Sequence, residues 1–172
     1  MAGGRSRRFG ADKARAQWNG EALIAHSVAR LAPQVDALVV CGPSWRGVAA
    51  LPDRPAPDLG PLAAINAALH HGAAQGFDAV LSVPVDVQPL PDALCTLLAG
   101  IGAAVLDGQK AIGWWPVALA TRLDGHIAAG GRSLDSWIAV AGCRRIDDTA
   151  WGLVNVNRPD DLQRLIDQRE TP

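Results

Sequence analysis

Short apolar runs of strand length alternate along this chain with segments whose apolar residues recur at helical spacing. The stretches 37–41 and 79–83 are almost wholly apolar, which is typical of strands buried on both faces of a sheet. Helical spacing is found in 21–31 and again from Gly60-Pro61 through Leu69. This alternation predicts an α/β fold, with a mostly parallel sheet and helices on both faces. At 172 residues we expect a single domain over 1–172.

The rest of the chain continues the same alternation. Asp107-Gly108 is a hairpin turn signal between two short apolar runs. The remaining expected elements are helices over 91–98, over 122–140 with a break at Gly130-Gly131 and over 159–168, and strands over 103–106, 110–114, 142–146 and 153–154.

Composition excludes several classes of protein. Hydrophobic residues make up 49% of the chain and the net charge is −1, so neither disorder nor bulk nucleic-acid binding is expected. No apolar run is long enough to span a membrane, and the first residues lack the apolar core of a secretory signal. Cys41, Cys95 and Cys143 are isolated, which argues against a disulfide or zinc framework. We therefore expect a cytoplasmic protein with no nucleic-acid or membrane partner.

The first thirteen residues combine glycines with positive charge. Gly3 and Gly4 can let the backbone approach a ligand closely, and Arg8 and Lys13 could bind a triphosphate. The spacing matches neither of the two common glycine-rich nucleotide motifs. A solvated basic tail is the alternative interpretation of this segment.

Two aspartates follow apolar segments at positions where ligands commonly bind. Asp86 comes just after the predicted strand 79–83, at the strand's carboxyl end, where a carboxylate can hold Mg²⁺. A turn aspartate that caps the next helix is an equal alternative for Asp86. Asp53 could contact a nucleotide, although an ordinary loop residue is the favoured interpretation. Asp58 lies in the same loop and is a second candidate for that contact.

Two adjacent pairs invite a functional interpretation but favour a structural one. His70 and His71 point to different faces of a helix, so we expect them to interact with its carboxyl end rather than to bind a metal. Trp114-Trp115 could stack on a ring-shaped substrate, but a half-buried aromatic pair in a hairpin is expected instead.

Four motifs in order resemble the molybdenum cofactor guanylyltransferase (MobA-type) family of nucleotidyltransferases. They are the glycine-rich segment 2–13, Asp53 ahead of Gly60-Pro61-Leu62-Ala63, Pro84-Val85-Asp86, and the asparagine-rich segment 155–162. The resemblance implies a three-layer Rossmann-like fold and an Mg²⁺-dependent transferase. It further implies transfer of GMP from GTP to the terminal phosphate of molybdopterin, with release of pyrophosphate. Other molybdenum cofactor biosynthesis proteins and molybdoenzymes are the protein partners that it implies.

The resemblance also implies a role for each matching residue. The backbone of Ala2, Gly3 and Gly4 would cradle the nucleotide, and Lys13 and Arg8 would neutralise the triphosphate. Asp53 would contact GTP, Asp86 would hold Mg²⁺, and Asn155 and Asn157 would shape the pterin side of the cleft.

Two of the chain's departures from the family pattern leave alternatives open. The family has an asparagine after its second strand, whereas 41–44 contains none, which leaves a related nucleotidyltransferase using CTP or another NTP as an alternative. Met1 stands at the family's leucine, so the family's first strand is expected to be missing. A non-catalytic nucleotide- or pterin-binding relative is the alternative that this second departure raises.

Overall fold

The computed structural model describes residues 1, 14, 16–57, 59–157 and 161, and these form the predicted α/β fold. The strands are β1 (Gln17–Trp18), β2 (Glu21–Ala22), β3 (Val39–Cys41), β4 (Ala49–Leu51), β5 (Ala79–Ser82), β6 (Val87–Gln88), β7 (Ala104–Leu106), β8 (Gly113–Pro116), β9 (Arg144–Ile146) and β10 (Val154–Asn155). The α-helices are α1 (Leu23–Leu31), α2 (Pro61–Gln75), α3 (Leu94–Leu98), α4 (Ala120–Ala128) and α5 (Leu134–Ala141).

The largest described sheet has four strands in the order β5-β8-β7-β9. β7 and β9 are parallel, but β8 is antiparallel to both of its neighbours. The cause is the predicted hairpin at Asp107-Gly108, which returns the chain beside β7 and makes this sheet mixed rather than mostly parallel. β3 and β4 form a separate parallel pair.

Helices cover both faces of this sheet, and neighbouring residues of one strand contact different helices. Val80 packs against the cluster that contains residues of α2, α4 and α5. Leu81, the next residue, packs against the cluster formed with α1 and α3. Since successive side chains of a strand point to opposite faces, the two clusters lie on opposite sides of the sheet, as in a three-layer architecture.

Glycine and proline set the bounds of the longest helix. Pro61 occupies the first turn of α2, where its missing N–H costs nothing, as the sequence predicted. Gly76 ends α2 in the left-handed conformation, with φ of 80°. The predicted break between α4 and α5 also occurs, and Gly130 there has φ of 91°.

The observed elements differ from the expected ones mainly at turns. α1 begins at Leu23 rather than Glu21, because β1 and β2 form a hairpin over Asn19-Gly20. Asn-Gly is a strong signal for such a turn, and both residues have the positive φ that it requires. Strand β4 was not expected, and the helix predicted from residue 91 begins at Leu94. The helix expected over 159–168 falls almost entirely outside the described residues.

Candidate active site

Asp86 lies beyond the carboxyl end of β5, where the chain turns into β6. β6 pairs with β10 in antiparallel fashion, and Val87 stands opposite Asn155. The N–H of Val156 donates to the backbone oxygen of Asp86 at 2.7 Å. The pairing therefore brings the backbone of Asp86 beside the segment that carries Asn155, although the two are far apart in the sequence.

The two asparagines of this segment have different surroundings. The side-chain oxygen of Asn155 is buried and has no hydrogen-bond partner among the described residues. A buried oxygen of this kind costs free energy unless a ligand or water satisfies it, so it marks a place where polar contact is expected. The backbone N–H of Asn157 donates to Oδ2 of Asp161 at 2.8 Å.

Met1 joins the same region from the start of the chain. Its amino group donates to the oxygen of Val83 at 2.7 Å, and its own oxygen accepts from the N–H of Val85 at 3.3 Å. Met1 directly precedes the glycine-rich segment in the sequence, so the chain enters that segment close to Asp86. Five residues with predicted roles lie outside the described part of the chain: Ala2, Gly3, Gly4, Arg8 and Lys13.

The charges of Met1, Asp86 and Asp53 influence the titration of groups in this region. Burial lowers the pKa of the Met1 amino group, although Cys41 and Asp86 oppose this shift by favouring the charged form. Burial also raises the pKa of the Cys41 thiol; the positive charge of Met1 opposes the shift and the negative charge of Asp53 adds to it. Asp53 follows the carboxyl end of β4, which runs parallel to β3. The two predicted aspartates thus interact electrostatically with neighbouring groups, Asp86 with Met1 and Asp53 with Cys41.

The carboxylate of Asp86 is half-buried, and its oxygens suit Mg²⁺ better than a softer metal. No group of three or more His, Cys, Asp or Glu side chains suitable for a metal occurs among the described residues. Mg²⁺ is commonly held by one or two carboxylates together with substrate phosphates, and Asp86 supplies one carboxylate at this strand end.

The histidine pair lies elsewhere, and His70 has a structural role that the sequence did not reveal. His70 and Asn66 of α2 each hydrogen-bond the carboxylate of Asp124 in α4 at 2.8 Å, and Arg54 lies 3.7 Å from it. Burial works against the charge of Asp124, but these hydrogen bonds and positive charges outweigh it and lower its pKa. Both histidines lie in the body of α2, which continues to Gln75. Neither is therefore in the last turn, where an interaction with the carboxyl end of the helix was expected.

The two tryptophans also pack in the hydrophobic core. Trp115 is fully buried and stacks on Trp137 of α5, with ring centroids 6.3 Å apart. Trp114 faces the other side of the sheet and is half-buried in the second cluster. The expectation of a structural aromatic pair in a hairpin therefore fits the observed packing.

A comparison with known protein families shows which family this chain belongs to. A MobA-like NTP transferase domain matches residues 1–146 of the chain. The chain belongs to the MobA-like NTP transferase family. A molybdenum cofactor guanylyltransferase from Rhodobacter capsulatus is 35% identical, and the match covers 98% of this chain and 93% of that protein. One from Cereibacter sphaeroides is 36% identical, covering 95% of this chain and 92% of that protein.

The fold comparison agrees with this membership. Molybdopterin-guanine dinucleotide biosynthesis protein A from Archaeoglobus fulgidus superposes with a TM-score of 0.76, covering 98% of this chain and 96% of that one. At 20% sequence identity this likeness shows the fold alone. None of the helices in the described part of this family member is long and apolar enough to cross a membrane.

Proposed function

We propose that this chain transfers GMP from GTP to the terminal phosphate of molybdopterin and releases pyrophosphate. The observation that carries the proposal is the pairing of β6 with β10, which sets Asp86 beside the Asn155–Asn157 segment. Two of the four motifs shared with the guanylyltransferases thus meet at one edge. The relatives of that name, which match over nearly their full length, support the choice of reaction.

The reaction needs positioning and charge neutralisation rather than a protein nucleophile. A terminal phosphate oxygen of molybdopterin forms a bond to the α-phosphorus of GTP. The bond from that phosphorus to the oxygen bridging to the β-phosphorus breaks, and its electron pair leaves with pyrophosphate. Since the attacking oxygen is already anionic, the chain does not have to supply a general base.

Asp86 is the proposed magnesium ligand. Bound Mg²⁺ would neutralise negative charge on the phosphates of the nucleotide. Asp86 would hold the ion at the carboxyl end of β5, where Met1 hydrogen-bonds the backbone of Val85 and β10 is followed by Val156, which hydrogen-bonds the backbone of Asp86.

The remaining roles follow the order of the motifs around Asp86. Asn155 and Asn157 would line the pterin side, with the unsatisfied Asn155 oxygen available to a substrate donor or a bridging water. Asp53, near Cys41, would contact the GTP moiety. In the glycine-rich segment we propose that the backbone of Ala2, Gly3 and Gly4 cradles the nucleotide, and that Arg8 and Lys13 neutralise its triphosphate.

The test is release of pyrophosphate and formation of the pterin dinucleotide when the purified chain is incubated with MgCl₂, molybdopterin and one nucleotide at a time. We expect product with GTP and a loss of roughly 10²–10³-fold in Asp86→Asn, typical for removal of a group that stabilises developing charge. Asp78→Asn is the matched control, because Asp78 is exposed and precedes the same strand at its opposite end. It should retain the parent activity.

A separate variant tests the asparagine. Asn155→Ala removes a buried oxygen that has no described partner, so we expect activity to fall while the melting temperature stays within about 2 °C. Faster turnover with CTP than with GTP would replace the guanylyl assignment by the alternative nucleotide. Absence of product with every nucleotide from a folded protein would reject the transferase proposal.

A further inference from the structure

β9 forms one edge of the four-stranded sheet. It pairs with β7 on one side, and no strand in the described ranges pairs with it on the other. An unpaired edge is a template on which a strand of another chain can pair. We call the unpaired side of β9, together with Asp147 that follows it, the open edge.

The ladder with β7 fixes which backbone groups point outward from the open edge. The N–H of Arg144 donates to the residue before β7, and the oxygen of Ile146 accepts from the residue after β7. Since the groups of one strand alternate between its two sides, the N–H and C=O of Arg145 point away from β7, and so does the N–H of Asp147. The open edge therefore offers donors at both of these residues and an acceptor at Arg145.

Exposed apolar side chains accompany the open edge on both faces of the sheet. Three large hydrophobic residues of the described ranges are exposed: Leu97 (46%), Ile101 (97%) and Val140 (38%). Leu97 belongs to α3 and Ile101 to the loop between α3 and β7, whereas Val140 belongs to α5. α3 packs in the cluster on one face of the sheet and α5 in the cluster on the other.

Hydrogen bonds tie the segments that carry these side chains to β9. The Arg144 guanidinium donates to the oxygen of Leu98, the last residue of α3, at 2.8 Å. A Cβ at Gly100, in the loop that carries the exposed isoleucine, would lie 2.9 Å from the same guanidinium. On the other face, the N–H of Cys143, the residue before β9, donates to the oxygen of Ile138 in α5 at 3.2 Å. The exposed apolar groups are thus gathered around one sheet edge, which is typical of an interaction surface.

The charges along the open edge indicate what pairs with it. The chain there runs Arg144-Arg145-Ile146-Asp147-Asp148, with two cations before the isoleucine and two carboxylates after it. In an antiparallel pair of two copies centred on Ile146, Arg145 stands opposite Asp147, which is a favourable cross-strand pair. Arg144 stands opposite Asp148 in the same arrangement. A pair centred on Arg145 would instead set two arginines opposite each other, so the segment is complementary to itself in one register.

The backbone geometry fits the same register. Opposite residues of an antiparallel pair alternate between those that exchange both hydrogen bonds and those that exchange none. The outward groups of Arg145 and Asp147 suit the first kind of pair, and the groups of Ile146 face β7, which suits the second kind at the centre. A two-fold axis through that centre repeats every contact, as in the isologous interface of a dimer.

We propose that the open edge is the interface of a homodimer in which β9 pairs in antiparallel fashion with β9 of a second copy. The two four-stranded sheets would become one continuous sheet, and α3 and α5 would each face the same helix of the second copy. The exposed side chains of Leu97, Ile101 and Val140 would border this interface. β9 lies three strand spacings, about 14 Å, from β5, whose end carries Asp86, so the inference is independent of the proposed transferase reaction.

Sedimentation equilibrium of the full chain tests for the dimer. The strand is short, so we expect a small interface and a mass that rises from monomer to dimer between about 5 and 500 μM. A monomeric mass at every concentration in this range would overturn the proposal.

Two charge variants test the register. Arg145→Glu sets a glutamate opposite Asp147, and Asp147→Lys sets a lysine opposite Arg145, so each variant alone should associate at least about tenfold more weakly than the parent. In an equimolar mixture every cation again stands opposite a carboxylate, and heterodimers should form about as tightly as the parent dimer. Arg122→Glu, the same charge reversal at an exposed position of α4, is the matched control and should leave association unchanged. A mixture that stays monomeric, or a variant that self-associates as tightly as the parent, would refute this register.

Hydrogen exchange gives a second readout on the unaltered chain. At about 100 times the Kd of the dimer, the N–H groups of Arg145 and Asp147 should exchange roughly tenfold more slowly than in dilute solution. The N–H of Ile146 faces β7 and is the internal control, since its exchange should not depend on concentration. A dimer with unchanged exchange at Arg145 would use another surface and would equally overturn the proposal. This measurement decides even if a charge variant does not fold.

Discussion

Replacing Ser82 by alanine should cost more stability than the loss of one small side chain suggests. Its hydroxyl accepts a hydrogen bond from Nε1 of Trp115 at 2.8 Å and donates to the backbone oxygen of Ala111 at 2.8 Å. Ser82 is 5% exposed and Trp115 is fully buried, so water cannot readily replace the lost partner. Ser82→Ala would therefore leave a buried indole N–H unsatisfied.

The expected magnitude follows from that N–H. An unsatisfied buried donor costs about 1–3 kcal/mol, and partial relaxation around Ala111 keeps the total near 2 kcal/mol. For a domain of this size, that loss corresponds to a decrease of roughly 4–8 °C in melting temperature. Urea denaturation and thermal melting, both followed by circular dichroism, measure the two quantities.

A double-mutant cycle isolates the hydrogen bond. In Trp115→Phe the indole N–H is absent, so adding Ser82→Ala to it should cost at least about 1 kcal/mol less than Ser82→Ala costs in the parent. Trp45→Phe is the control, because Trp45 packs in a separate cluster that contains neither Ser82 nor Trp115, so this variant should be additive with Ser82→Ala. Additivity of Ser82→Ala with Trp115→Phe, or a cost below about 0.5 kcal/mol for Ser82→Ala alone, would refute the reasoning.

Three further predictions test other parts of the fold. A Cβ added at Gly113 would lie 2.7 Å from the fully buried ring of Trp115, so Gly113→Ala should lower the free energy of unfolding by about 1–3 kcal/mol in urea titrations. The pKa of Asp124 is lowered, so its stabilisation is present above its ordinary value of 3.8 and is lost as the pH falls below it. Asp124→Asn should weaken this acid dependence and cost about 1 kcal/mol at pH 7, and equal acid slopes in the two proteins would contradict this. Burial raises the pKa of Cys143 to about 11, with Arg145 opposing the shift, so iodoacetamide at pH 7.5 should alkylate Cys143 rapidly only after unfolding.

The elements predicted well were those whose signal is local. The apolar runs that became β3 and β5 need no partner to be recognised, and Gly60-Pro61 marks the start of α2 by proline geometry alone. The Asn19-Gly20 hairpin was equally local and was missed. Its strands have two residues each, too short for an alternating pattern to stand out.

The candidate site could be predicted only in part. Asp86 could be placed at a strand end from the sequence, but periodicity carries no information on the pairing of β6 with β10 that brings Asn155 to it. That pair was anticipated only through the family resemblance. The contacts of Asp124 with His70 join two helices distant in sequence. They depend on how the helices assemble, which no local pattern encodes.

The pairing of β6 with β10 also bears on the order in which the chain is made. β10 is the last described strand, whereas Asp86 lies near the middle of the chain. A chain emerging from the ribosome would form α2 and β5 well before Val154 and Asn155 became available. Synthesis of the two halves of the candidate site is thus separated in time, and the nascent chain would gain competence for GTP chemistry only after β10 has been synthesised.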